Sequence, residues 1–230
     1  GVEFLLNCRV TEISDRGVIY THVSDGIGGP KSVDAEKVLV SIGRRPATEG
    51  LGLENIGVAM ERGRVMTDLH GRTNVPGVYA AGDVNGVSML AHTAYREAEA
   101  CINDMLGIED EIRYNAIPSV IYTDPEVACV GETEGSAAEK GIDFVSARLP
   151  MTYSGRYAAE NERGDGICKI LIDKRLRTVI GVHMIGSYSS EIIYGAAMMI
   201  EKGMRVDDLK KVVFPHPTVS EIIREVITGF

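Results

Sequence analysis

Short alternating segments dominate the first 45 residues. VEFLL, RVTEI and GVIYTHV place apolar and polar residues in turn, the two-residue period of strands, and turn formers such as DRG and SDGIGGP separate them. KVLVSI, residues 37–42, is nearly all apolar, which predicts a buried strand that ends at Gly43. The pattern predicts antiparallel strands that lead into one buried strand.

The pattern changes between residues 75 and 107. A short apolar strand, 78–81, is predicted to run into Gly82 and Asp83, and residues 88–107 follow with the 3.6-residue period of a helix. A strand, a Gly-Asp pair, a loop and a helix in this order direct backbone N–H groups and one carboxylate toward a ligand. The alternative is that Asp83 only caps the turn.

From residue 114 onward, strand patterns are grouped together and most helix patterns come after them. This grouping predicts an α+β domain with an antiparallel sheet. The predicted strands are IPSVIYT, FVSARLPM, GICKILID and TVIGVHMIG, and the predicted helices are TEGSAAEKG, SSEIIYGAAMMIEKG and HPTVSEIIREVI. In the second of these helices, apolar residues cover more than one face, which fits either core packing or a dimer interface.

Composition narrows the possible functions. The chain has 230 residues, 44% of them hydrophobic, and a net charge of −9 without a basic block, so a nucleic-acid partner is not expected. No apolar run approaches the roughly 20 residues that cross a bilayer, and no secretory signal begins the chain, so we expect no membrane partner and a cytoplasmic location. The four cysteines show no paired or metal-ligand spacing, which predicts reduced thiols and no metal site. The chain begins with Gly in a β-rich segment, so we expect it to be part of a longer protein.

FPHPTVSE, residues 214–221, carries the clearest candidate chemistry. Thr218 and Glu221 have the spacing of a helix capping box, which is one interpretation. The other is that His216, held between two prolines, is a base that accepts a thiol proton, with Glu221 fixing its tautomer and orientation. Glu221 can serve both purposes.

Four motifs in this order, AAGDV, LAHTA, GVHMIG and HPTVSE, extend over most of the chain. With them the chain resembles the C-terminal half of the flavin-dependent disulfide reductases, and LAHTA favours the branch that oxidises dihydrolipoyl groups. The resemblance implies that partial FAD- and NAD-binding α/β domains precede an α+β dimerisation domain. Residues 1–45 then end the NAD domain, 46–114 return to the FAD domain, and 115–230 form the dimerisation domain.

The resemblance also assigns residues. It implies that Gly82, Asp83 and the backbone at Ala91 contact FAD, that Gly43 approaches NAD, and that His216 and Glu221 form the catalytic pair. His92, at the start of the helix, is interpreted as structural. Phe214 stands where the family commonly carries another histidine, so the surroundings of the base differ from the family pattern.

The implied function is oxidation of protein-bound dihydrolipoamide with reduction of NAD, through FAD, by a homodimer. The implied partner is the lipoyl domain of a 2-oxoacid dehydrogenase or glycine cleavage complex. The sequence has no CxxxxC and no GxGxxG, so the isolated chain is expected to be inactive and to hold FAD weakly or not at all. Two alternatives stay open: another reductase of the family, such as one for glutathione, or a dimerisation module without chemistry of its own.

Overall fold

The first unit of the chain is a small antiparallel sheet. The computed structural model describes residues 1–23, 29–162 and 164–230, and the chain divides into two compact units, Gly1–Arg45 and Pro46–Phe230. In the first, β1 (Cys8–Ser14), β2 (Gly17–His22) and β3 (Lys31–Asp34) pair in that order, as the alternating pattern predicts. Most of the predicted SDGIGGP turn, residues 24–28, lies outside the described residues.

Two predicted strands of this unit are wrong. Neither residues 2–6 nor residues 37–42 form a strand, and Leu39 and Ile42, expected to be buried, are 92% and 93% exposed. Among the described residues of this first unit, the sheet consists of β1, β2 and β3 only, so neither segment has a strand paired with it. A strand needs a neighbour to pair its backbone groups and an apolar face to cover its side chains.

The second unit begins with short elements. A short antiparallel pair lies there, formed by β4 (Met60–Glu61) and β5 (Arg64–Val65). The strand predicted at 78–81 is reduced to a single bridge, because Tyr79 pairs only with Arg72. The predicted helix is α1 (Ala91–Met105), which starts three residues later than the pattern indicates and ends shortly before Gly107.

A five-stranded antiparallel sheet organises the rest of the unit and confirms the α+β prediction. Its strands lie in the order β6-β7-β10-β9-β8. The strands are β6 (Ser119–Ile121), β7 (Val127–Gly131), β8 (Phe144–Pro150), β9 (Ile167–Asp173) and β10 (Val179–Ile185). The helices are α2 (Glu134–Glu139), α3 (Gly155–Glu160), α4 (Ser189–Glu201), α5 (Val206–Leu209) and α6 (Glu221–Thr228).

The core lies between this sheet and the helices α4 and α6. Helix α4 contacts β7 and β10, and α6 contacts β8 and β9. Helix α6 buries one continuous apolar face, formed by Ile222, Ile223, Val226 and Ile227. Because this packing holds α6 against the sheet, the loop that enters the helix has a rigid base.

Helix α4 has apolar residues on two sides. Its buried side consists of Ile193, Ala196, Met199 and Ile200, which join the core. On the outer side, Tyr194 is 64% and Met198 56% exposed. Core packing therefore accounts for one face of the helix, and the outer face is available for a partner.

Other sequence expectations concern cysteines, metals and membranes. All four cysteines are free; Cys101 and Cys168 are buried, whereas Cys8 and Cys129 are half-buried. Across 1–23, 29–162 and 164–230, no three His, Cys, Asp or Glu side chains gather in a group able to hold a metal ion. No helix in these same ranges has the length and apolar character to span a membrane.

Candidate functional site

The loop before α6 brings His216 and Glu221 into contact. Nδ1 of His216 lies 2.9 Å from Oε1 of Glu221, which is the first residue of α6. The histidine side chain is 77% exposed, whereas the glutamate side chain is 16% exposed. A largely buried carboxylate thus holds one ring nitrogen, and the rest of the ring is exposed. This is the arrangement that a base and its orienting acid require.

Glu221 also closes half of the capping box. Its Oε2 accepts a hydrogen bond from the backbone N–H of Thr218 at 2.9 Å. The Thr218 hydroxyl instead donates to the carbonyl of Pro215 at 2.8 Å, and the N-cap of α6 is Ser220. The Thr218 N–H first, and the His216 ring second, hold the pKa of Glu221 below its usual range, which keeps the carboxylate charged.

Neighbouring residues fix this loop. The Ser154 hydroxyl donates to the carbonyl of Thr218 at 2.9 Å, and Val219 is buried in the core. Phe214 packs against the same core. Phe214 therefore anchors the loop through apolar contact.

The Gly-Asp segment lies against α1. Gly82 has a φ of +83°, and a Cβ atom there would lie 3.3 Å from Cβ of Ala94. The dihedral favours glycine, and the tight approach to Ala94 adds to that preference. Asp83, which is exposed, begins a single 3-10 turn, Asp83–Asn85.

Ala91 is the first residue of α1. The N-cap, Leu90, makes no side-chain capping bond, so the first N–H groups of this 15-residue helix have no capping acceptor from that side chain. An exposed carboxylate for ribityl hydroxyls and a helix N-terminus for a flavin ring that gains negative charge on reduction suit FAD chemically. Gly43, the residue assigned to NAD, lies in the first unit with a φ of +97°, and a Cβ atom added there would have open space for 4 Å around it among the described residues.

His92 has a structural partner, as the sequence indicates. Its Nε2 lies 2.8 Å from the carbonyl oxygen of Pro118, just before β6. This contact ties the start of α1 to the start of the five-stranded sheet.

One buried residue near the candidate flavin segment is missed by the sequence patterns. Glu97, fully buried in α1, accepts hydrogen bonds from the N–H of Gly82 and from the hydroxyl of Tyr114. Its signal is position: Glu97 lies on the helix face shared by the buried residues Thr93 and Cys101, where a charged residue is exceptional.

Comparison with protein families gives two matches. Residues 1–98 match the pyridine nucleotide-disulphide oxidoreductase model, and residues 117–227 match the dimerisation domain of the same family. The chain belongs to the pyridine nucleotide-disulphide oxidoreductases. Its second match also identifies the five-stranded sheet and its helices as the family's dimerisation domain.

Within the family, the chain is similar to dihydrolipoyl dehydrogenases. Over 98% of this chain, the mitochondrial dihydrolipoyl dehydrogenase of Caenorhabditis elegans is 39% identical across 228 residues, which are 46% of that protein. The dihydrolipoyl dehydrogenase of Bacillus subtilis is also 39% identical across 98% of this chain and 48% of its own length. The chain spans about half the length of the curated relatives it matches.

Solved structures agree with this assignment. LpdA from Mycobacterium tuberculosis has a TM-score of 0.84 and 29% identity over 97% of this chain and 48% of its own. The HOCl-induced flavoprotein disulfide reductase RclA from Escherichia coli has a TM-score of 0.75 and 26% identity over 94% of this chain and 49% of its own. The family fold is therefore recovered over nearly the whole chain.

Proposed function

We propose that the full-length protein is a homodimeric, FAD- and NAD-dependent dehydrogenase that oxidises dihydrolipoyl groups. The observation that carries the proposal is the 2.9 Å contact between His216 Nδ1 and Glu221 Oε1, in a chain 39% identical to dihydrolipoyl dehydrogenases. Within the proposal, residues 1–45 end the NAD domain, 46–114 belong to the FAD domain, and 115–230 form the dimerisation domain.

His216 is the base in this proposal. A thiol has a pKa of about 8.5, so near neutral pH a base must take its proton before the sulfur can attack a disulfide. Glu221 accepts a hydrogen bond from Nδ1–H, which keeps the ring proton on Nδ1 and leaves Nε2 with a lone pair on the exposed side of the ring. When Nε2 takes the thiol proton, the carboxylate stabilises the resulting imidazolium. The thiolate attacks the enzyme disulfide of the partner subunit, so that this S–S bond breaks, one enzyme sulfur leaves as a thiolate and a mixed disulfide forms. The second dihydrolipoyl thiol then loses its proton and attacks the lipoyl sulfur of the mixed disulfide, which releases the lipoyl group as a disulfide. Two electrons and two protons thus pass from the dihydrolipoyl dithiol to the enzyme sulfurs.

The cofactor residues have a positioning role. FAD, held by these residues, would supply the redox group between the enzyme dithiol and NAD. Asp83 is proposed to accept hydrogen bonds from the ribityl chain, and Gly82 lets the backbone lie close to α1. The first N–H groups of α1, from Ala91, are proposed to face the flavin ring, where a helix N-terminus favours the negative charge of the reduced form. Gly43 is proposed to give NAD close access to the backbone.

The dimer and the partner belong to the same proposal. The match of residues 117–227 to the family's dimerisation domain and the exposed outer face of α4 support a homodimer. The proposed substrate is a lipoyl group on the lipoyl domain of a 2-oxoacid dehydrogenase or glycine cleavage complex. A cytoplasmic location stays a prediction, since the similar proteins include mitochondrial and bacterial ones.

A substrate comparison tests the proposed function. The purified full-length protein, assayed with FAD present, is expected to oxidise dihydrolipoamide with NAD faster than with NADP, and to leave glutathione disulfide unreduced. Reduction of glutathione disulfide by NADPH would favour the glutathione branch instead. Absence of both activities in a flavin-loaded protein would contradict the proposal and favour a dimerisation module.

A further inference from the structure

Glu97 is a buried carboxylate with two neutral partners. Its side chain in α1 is fully buried. One oxygen, Oε2, accepts from the N–H of Gly82 at 2.5 Å, and the other, Oε1, accepts from the hydroxyl of Tyr114 at 2.8 Å. Among the ion pairs of the described ranges, none includes Glu97, so neutral donors replace a cation as its hydrogen-bonding partners. Burying a carboxylate in this way is costly unless its oxygens have fixed donors.

The first of these bonds controls the Gly-Asp segment. The backbone at Gly82 has φ +83° and ψ −160°, a conformation open essentially to glycine alone. The N–H of Gly82 points to Glu97 Oε2, and the chain then turns directly into Asp83. The peptide between Ala81 and Gly82 is therefore held from inside α1, and this fixes the path of the backbone one residue before Asp83.

The second bond controls Glu97 itself. Tyr114 starts the single 3-10 turn Tyr114–Ala116, which leads into β6 of the five-stranded sheet. Burial, together with its bond to Glu97, raises the pKa of Tyr114 well above its usual range, so its hydroxyl stays protonated and donates. One carboxylate therefore joins the Gly-Asp segment to the turn that leads into the five-stranded sheet.

From this arrangement we infer that Glu97 is a positioning residue for the flavin, holding Gly82 and Asp83 in their binding geometry while Tyr114 holds Glu97. The inference rests on the proposed function, in which Asp83 contacts FAD. The required property is an acceptor toward the N–H of Gly82 together with a polar atom that forms a hydrogen bond with the Tyr114 oxygen. Glutamine retains that geometry, since its amide oxygen accepts from Gly82 and its NH₂ group donates to the Tyr114 oxygen.

Three variants of the full-length apoprotein separate this role from simple packing. Glu97→Leu fills the space but leaves the Gly82 N–H without an acceptor, so the FAD dissociation constant should rise about tenfold or more. Glu97→Gln should bind FAD within about threefold of the wild type, because both bonds are retained. Glu99→Leu, the same change at an exposed position of α1, is the matched control and should leave FAD affinity unchanged.

Tyr114→Phe extends the test without a large change in the core. It removes the hydroxyl that donates to Glu97, so it should weaken FAD binding about two- to fivefold in the wild-type background and have no further effect beside Glu97→Leu. FAD affinity is measured by fluorescence titration of each apoprotein, and a thermal melt records folding. If the leucine variant does not fold, the Tyr114→Phe titration decides the question.

Several outcomes overturn the inference. Wild-type affinity in Glu97→Leu would show that Gly82 needs no acceptor, and unchanged affinity in Tyr114→Phe would show that Tyr114 does not hold Glu97. If Glu97→Gln raised the FAD dissociation constant as much as Glu97→Leu, the loss of affinity would come from the missing charge and not from the hydrogen bonds. A wild-type protein that binds no FAD would contradict the proposed function itself, whereas variants that all bind FAD like a functional wild type would contradict this inference alone.

Discussion

Replacing Glu221 by Gln keeps the shape of the side chain but gives it one acceptor and one donor. In the wild type, Oε2 accepts from the backbone N–H of Thr218, and Oε1 lies 2.9 Å from Nδ1 of His216. A backbone N–H can only donate, so the amide oxygen of the glutamine must face Thr218. Its NH₂ group then faces His216 Nδ1, which has to accept, and the single proton of the neutral ring moves to Nε2.

This tautomer disables the proposed base. A protonated Nε2 cannot take the thiol proton, so we expect Glu221→Gln to slow dihydrolipoamide oxidation by about 10²–10⁴-fold, the range of a lost general base. Glu221→Ala leaves the ring free to adopt either tautomer, so its loss of rate should be smaller. Stability should follow the opposite order, because alanine leaves the Thr218 N–H without its acceptor, at a cost of about 1 kcal/mol.

The assay is stopped-flow reduction of the full-length protein by dihydrolipoamide, with a thermal melt of each variant. Glu225→Gln, the same chemical change one turn further along α6, is the control and should keep wild-type rates. A Glu221→Gln variant that is less stable than the wild type but equally fast would mean that Glu221 only caps the helix. A Glu221→Ala variant slower than Glu221→Gln would refute the tautomer argument.

Two further predictions concern pH and assembly. The Thr218 N–H first, and His216 second, lower the pKa of Glu221, so the stability that its charge contributes is fully present above the ordinary glutamate pKa of 4.5 and is lost as pH falls through the lower folded pKa. The stability advantage of the wild type over Glu221→Gln should therefore shrink in acid. A difference between their thermal melts that stays constant across that pH range would contradict this prediction. Met198→Glu places a charge on the exposed outer face of α4 and should convert the homodimer into monomers at micromolar concentration, as measured by light scattering. The control Leu176→Glu, at an exposed position outside α4, should remain dimeric, and a dimeric Met198→Glu protein would exclude this face from the interface.

The sequence predicts those features that depend on neighbours along the chain. His216 and Glu221 are five residues apart, at the boundary between a proline-rich loop and a helix, so local geometry brings them together. The strands β8, β9 and β10 follow each other with clear strand patterns, and each pairs with a neighbour from the same part of the chain. In both cases, the hydrophobic pattern and the spacing contain the necessary information.

Features that depend on distant residues are not predicted. Glu97 accepts hydrogen bonds from Gly82, 15 positions earlier, and from Tyr114, 17 positions later, and each of these residues lies at a turn. No periodic sequence pattern predicts these contacts. The wrong strand prediction at residues 37–42 has a related cause. An apolar run indicates that a segment is suited to the interior of a sheet, but the segment is buried only where neighbouring strands pair with it.

The most direct test of the account is the rate at which dihydrolipoamide reduces the full-length protein when His216 is replaced by Gln. If His216 is the base, this rate should fall by about 10²–10⁴-fold, while hydride exchange between flavin and nicotinamide stays close to wild type. His183→Gln is the control. His183 lies on β10 of the five-stranded sheet and its Nε2 bonds to the carbonyl of Glu132, so this substitution should not change the rate. Wild-type reduction by dihydrolipoamide in His216→Gln would contradict the account and leave the contact between His216 and Glu221 as part of a helix start.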